Sequence, residues 1–166
     1  MHKHLLSVVG CAALFAQAAF AVDFPAADAD GTVTLTSAGT YSTAIPSGTK
    51  KLVVNASGEA VLSAASTGFS GPVVVKSGST LKVTNKDAVS KASSVTVENG
   101  GTLFGNFPSP GNVVIFKDLR IAGAGVSNAG AFKWEVVSGG SSTNPDALIQ
   151  NLTLIADATI NVVKRF

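Results

Sequence analysis

One stretch of this chain repeats itself, and that repeat limits the fold more than any other feature. Val75-Lys76-Ser77-Gly78-Ser79-Thr80-Leu81 recurs further along as Val97-Glu98-Asn99-Gly100-Gly101-Thr102-Leu103. Both read V-x-[SN]-G-[SG]-T-L. Looser copies run from Leu35 to Tyr41 and from Leu154 to Ile160, and a stretched one from Val53 through Ser57-Gly58 to Leu62. In this frame Val53, Val75 and Val97 stand at equal intervals. A repeat of that length marks a stacked unit, which buries its apolar face only against its neighbours.

The residues around the repeat say what the unit is. Short β-branched runs such as Lys51–Val54, Val73–Val75, Thr80–Thr84, Ser94–Val97, Asn112–Phe116, Phe132–Val136, Asn151–Ile155 and Thr159–Val163 are separated by Gly, Ser, Asn and Pro. Many alternate apolar with polar, the pattern of a strand with one buried face. Two strands around a Gly-bearing corner, repeated, predict an all-β fold: a right-handed parallel β-helix or β-solenoid of about six rungs over residues 22–166. A β-sandwich with similar hairpins is the competing architecture, since Asn99-Gly100 and Gly100-Gly101 also suit hairpin turns. Phe107–Pro110 and Ser138–Thr143 read as loops, and Asn144-Pro145-Asp146 as the start of one helical turn.

Residues 1–21 read as a secretory signal peptide. Lys3 lies in a short basic start, Leu5–Phe20 is uncharged, and Ala19-Phe20-Ala21 offers small-x-small cleavage after Ala21. The apolar run is shorter than a membrane span and contains Gln17. Val8-Val9-Gly10-Cys11 also resembles a lipobox, which would lipidate Cys11. The signal peptide takes Cys11, His2 and His4 with it, so residues 22–166 contain no Cys and no His. That excludes a His-dependent triad, a Cys/His zinc site and disulfides from the mature chain.

Charge narrows the partners. Only 13% of residues are charged, the net charge is +2, and no basic stripe is present. Nucleic acid is therefore not an expected partner, and a disordered chain is excluded by a hydrophobic content of 46%.

Residues 69–103 resemble the passenger-associated transport repeat, also called the autotransporter-associated β-strand repeat. The resemblance rests on Phe69-Ser70-Gly71, the corner Val75–Leu81, the apolar step Ala88-Val89 and the closing Val95-Thr96-Val97-Glu98-Asn99-Gly100-Gly101-Thr102-Leu103. It implies a secreted bacterial passenger built as a parallel β-helix and carried to the cell surface or outer membrane. The family carries no catalytic residues. Its C-terminal membrane barrel has no room after Leu103, so the chain is expected to be a truncated reading frame or a short exported protein of the same repeat type.

Candidate chemistry is sparse. No catalytic, cofactor-binding or metal-ligating residues stand out. Asp28-Ala29-Asp30-Gly31 is the one close acidic pair and would begin only a weak Ca²⁺ site. Phe132 and Trp134 share one face of a strand. Exposed, they would stack on a sugar or a partner side chain; buried, they would close the core. The expected function is thus a non-catalytic, adhesin-like or structural surface segment. Its partners would be glycans, surface proteins, or further copies joined through open solenoid ends. The alternative is a small β-helical polysaccharide lyase or hydrolase, which would need Asp30 or Asp118 in an acidic cluster on one stacked face.

Overall fold

The computed structural model describes residues 20–108, 113–137 and 147–164. The expected signal-peptide helix, Cys11 and the Ser138–Asp146 segment lie outside these residues. The described residues form twelve strands and one 3-10 turn, Val126–Asn128. The strands are β1 (Thr32–Leu35), β2 (Gly39–Tyr41), β3 (Lys51–Val54), β4 (Gly58–Leu62), β5 (Val73–Val75), β6 (Ser79–Val83), β7 (Val95–Val97), β8 (Thr102–Pro108), β9 (Val113–Gly123), β10 (Phe132–Val137), β11 (Ala147–Ala158) and β12 (Ile160–Lys164).

Odd and even strands separate into two sheets. One runs β1-β3-β5-β7-β9-β11 and the other β2-β4-β6-β8-β10-β12. Every pairing is parallel. The chain therefore crosses from one sheet to the other and returns one step further along, the path of a β-helix-like coil. Hairpins would pair consecutive strands antiparallel, so the sandwich alternative is set aside.

The corner glycines make the crossing possible. Gly78 and Gly100 take φ of 78° and 84°, a region that a side chain disfavours. Each corner closes by one turn hydrogen bond, Ser79 N–H to the Lys76 carbonyl and Gly101 N–H to the Glu98 carbonyl. Successive corners also join, because Gly78 N–H donates to the Gly100 carbonyl.

The core is four columns of side chains between the sheets. In the odd sheet the columns are Val33, Leu52, Val73, Val95, Leu119, Leu152 and Leu35, Val54, Val75, Val97, Ile121, Leu154. In the even sheet they are Gly39, Ala60, Leu81, Leu103, Phe132, Ile160 and Tyr41, Leu62, Val83, Gly105, Trp134, Val162. Members between the two ends are buried wherever a side chain is present. Non-strand turns line a third side, contributing Ile45, Phe69, Ala88, Val89 and Ala92 to the same core.

The register corrects the repeat frame at its weaker copies. Val54, not Val53, is the partner of Val75 and shares its column, while Val53 faces outward. The corner from β3 to β4 contains Asn55, Ala56 and Ser57, and its buried Ala56 replaces a polar corner residue. Tyr41 is also displaced. It pairs with Leu62, two positions beyond the column that holds Leu81. This slip keeps side-chain parity, because a two-residue shift leaves the buried face unchanged.

Strand lengths differ from expectation in the second half. β8 continues through Phe107 and Pro108, where a loop is expected, and β9 runs 11 residues to Gly123. An insertion between β9 and β10 is anchored by Thr102. Its hydroxyl accepts from Val126 N–H at 2.8 Å and donates to the Gly130 carbonyl at 3.0 Å. Thr102→Val keeps the shape and strands both partners. We expect a loss of about 1–3 kcal/mol in urea unfolding, with faster hydrogen exchange at Val126.

Candidate interaction surface

The outward residues of the even sheet form the column Thr40, Val61, Lys82, Phe104, Lys133, Asn161. Phe104 is an outward aromatic that is nevertheless buried. The Lys82 and Lys133 ammonium groups sit 5.1 and 4.3 Å from its ring centroid, one from each neighbouring strand. Both charges are attracted to the ring face. Lys82 also reaches Glu59 at 3.2 Å.

Other charges pair across the stack or along a strand. Lys76 meets Glu98 at 2.6 Å on successive corners, and Lys86 meets Asp87 at 2.7 Å. Both pairs are substantially solvent-exposed, so each contributes about 0–1 kcal/mol. Arg120 donates from Nε and Nη2 to one Asp118 oxygen at 3.1 and 2.8 Å. That hydrogen bonding, with the carboxylate charge, raises the guanidinium pKa further above its ordinary value. On the odd sheet Arg120 belongs to the outward column Thr34, Val53, Val74, Thr96, Arg120, Thr153.

The acidic pair near the start serves the backbone. Asp28 Oδ1 accepts from Asp30 N–H at 3.0 Å and Thr32 N–H at 2.8 Å, an Asx-type turn leading into β1. Asp30 lies at this turn and Asp118 on β9. Four strand steps separate β1 from β9, roughly 19 Å at the usual interstrand spacing. The stack does not bring these two carboxylates together. Among the described residues, no three His, Cys, Asp or Glu side chains gather into a potential metal-binding group.

Phe132 and Trp134 face the core, so of the two alternatives for them they close the core and are not exposed contacts. They are 4% and 5% exposed. Phe132 meets Phe116 edge-on at 5.8 Å and Trp134 at 6.1 Å. Strand parity places them correctly on one face but leaves open which side of the sheet that face takes. The outward aromatic is Phe104, whose sequence signal is an apolar residue directly after the inward Leu103.

The two ends of the stack differ. At the first, Ala21 bridges to Thr40, Val22 N–H donates to the Thr40 carbonyl, and Thr40 N–H donates to the Phe20 carbonyl. Val22 and Phe24 pack on the core, with the Phe24 ring 4.9 Å from Tyr41. At the other end, Leu152, Leu154, Ile160 and Val162 complete the four inward columns and are exposed, as is Ile155. Burial raises the Tyr41 hydroxyl pKa, outweighing the lowering effect of the hydrogen bond that ties it to Ser37.

Comparison with protein-family models, curated proteins and solved structures finds no match. Among the described residues, no helix is long and apolar enough to cross a membrane.

Proposed function

We propose that this chain is an exported, non-catalytic β-solenoid serving as an adhesin-like or structural surface segment of autotransporter-passenger type. Residues 1–21 direct export and are removed after Ala21. The remainder forms a coil of about six rungs, right-handed because parallel crossovers are almost always so. The carrying observation is the stack itself. It presents two continuous parallel-sheet faces whose Lys, Arg, Glu and Asp groups pair within and between layers. Such a face suits extended, shallow contact with glycans or surface proteins. Its charges hold neighbours together and do not converge on a reacting atom.

The test is to express the full chain in a Gram-negative host with a C-terminal epitope and to fractionate the cells. The expected product begins at Val22 by intact mass and is found outside the cytoplasm. Uncut chain retained in the cytoplasm would overturn the export reading. Depolymerisation of polysaccharide by the purified product, lost in Asp30→Ala or Asp118→Ala, would overturn the non-catalytic one.

A further inference from the structure

We infer that the open end of the stack is a two-fold interface through which two copies of this chain pair, β11 against β11 of the partner copy. The inference does not depend on export or on any surface ligand. It rests on the contrast between the two ends. Val22 and Phe24 occupy the first end, by donation from Val22 N–H to the Thr40 carbonyl and by packing on the core, contacts that persist with or without residues 1–21. A head-to-tail stack would have to displace that cover. Among the described residues, none covers Leu152, Leu154, Ile160 and Val162 at the opposite end.

Its chemistry is self-complementary. β11 and β12 carry two charges, Asp157 and, at the last position of β12, Lys164, and no proline. Lysine and proline are the usual devices that keep a sheet edge from pairing, and β11 has neither. Leu152, Leu154 and Ile155 on β11, with Ile160 and Val162 on β12, present an uncharged layer that a charged or strongly polar partner would not match. β11 pairs with β9 through its inner edge only, regularly from Asn151 to Leu154, with irregularities before Ile149 and after Leu154. Its outer edge is the last of its sheet. A two-fold axis over this segment sets the two copies antiparallel, so each supplies hydrogen-bonding groups to the other and the assembly closes at two.

The area supports a reversible dimer. Twelve residues extend about 40 Å and two sheets stand about 10 Å apart. The two copies together then bury on the order of 800 Å², below the range of stable interfaces, so the dimer is weak and transient. Leu154 and Val162, at 58% and 66% exposure, have the most apolar surface to gain.

The experiment uses the chain from Val22, which contains no cysteine, spin-labelled at Thr153→Cys and studied by sedimentation equilibrium from about 1 to 100 μM and by electron–electron distance measurement. The expected result is a concentration-dependent dimer whose two labels lie within about 20 Å, a few interstrand spacings. Leu154→Lys and Val162→Lys each weaken association more than tenfold while leaving the far-UV spectrum and thermal midpoint of the monomer in place. Polymers with labels spaced about 30 Å apart, one six-strand stack length, would mean head-to-tail stacking and overturn the proposal. So would a monomer at 100 μM, which would assign the open layer to a continuing chain or a lipid surface. A dimer untouched by both lysine substitutions would overturn it as well.

Discussion

Trp134→Ala lowers the stability of the fold by about 3–5 kcal/mol, the cost of deleting a large buried aromatic. The loss is expected at the top of that range because the indole occupies space that another strand leaves empty. Trp134 pairs with Gly105 in the column Tyr41, Leu62, Val83, Gly105, Trp134, Val162. A Cβ built at Gly105 would collide with the six-membered ring of Trp134 at Cζ3 and Cε3. The glycine is required here by close approach and not by its dihedral angles. Gly105→Ala therefore costs about 1–3 kcal/mol or more from overpacking. Gly105→Ala combined with Trp134→Leu costs less than the two changes summed, with a coupling of about 0.5–3 kcal/mol. Urea unfolding followed by far-UV circular dichroism reads all four corners of the cycle. Additive costs would show that the glycine and the indole are independent.

Leu81→Ala lowers stability by about 2–5 kcal/mol, while Leu154→Ala lowers it by less than about 1 kcal/mol. The chemical change is the same and the position in the stack differs. Leu81 is fully buried between Ala60 and Leu103, with layers on both sides. Leu154 has a layer on one side only and is 58% exposed. In a stacked array each layer is stabilised by its neighbours, so an end layer has about half the support of a central one. The same gradient predicts strong hydrogen-exchange protection in β5–β8 and weak protection in β11 and β12 at monomer concentrations. Equal costs at Leu81 and Leu154, measured on dilute protein, would contradict the end-layer description. At dimer concentrations the gap narrows, because Leu154 gains a second face.

The strongest copies of the repeat are also the ones the structure reproduces most closely. Val75 and Val97 are paired, and so are Leu81 and Leu103. Both corner glycines adopt the positive φ that their placement implies. The weaker copies slip. The corner after Val54 accommodates Ala56, and the column then runs through Val54, with Val53 outward. Nothing local distinguishes Val53 from Val54, since both are β-branched and adjacent. Only the strand beside them decides which one points inward. The aromatic pair shows the same division. Phe132 and Trp134 share a face by the two-residue period of any strand, yet which face is buried depends on Gly105 leaving room and on Phe116 arriving from β9. Phe104 reads as one more apolar strand residue. Its contact with Lys82 and Lys133 comes from strands on either side of it, and no spacing announces that.

The sequence alone determined the class of fold: short strands with one buried face, glycine corners, and a period that calls for stacking. These are properties of a few consecutive residues, set by dihedral preference and side-chain alternation, and the recurrence from Val75 to Val97 extends them along the chain. The tertiary structure decided the register at irregular corners, the inward side of β10, the pairing of charges between layers, and, among the described residues, the contrast between a covered first layer and an exposed last one. Each of these depends on what the neighbouring layer places within a few ångströms. Residues a full turn of the coil apart meet only once the coil is wound.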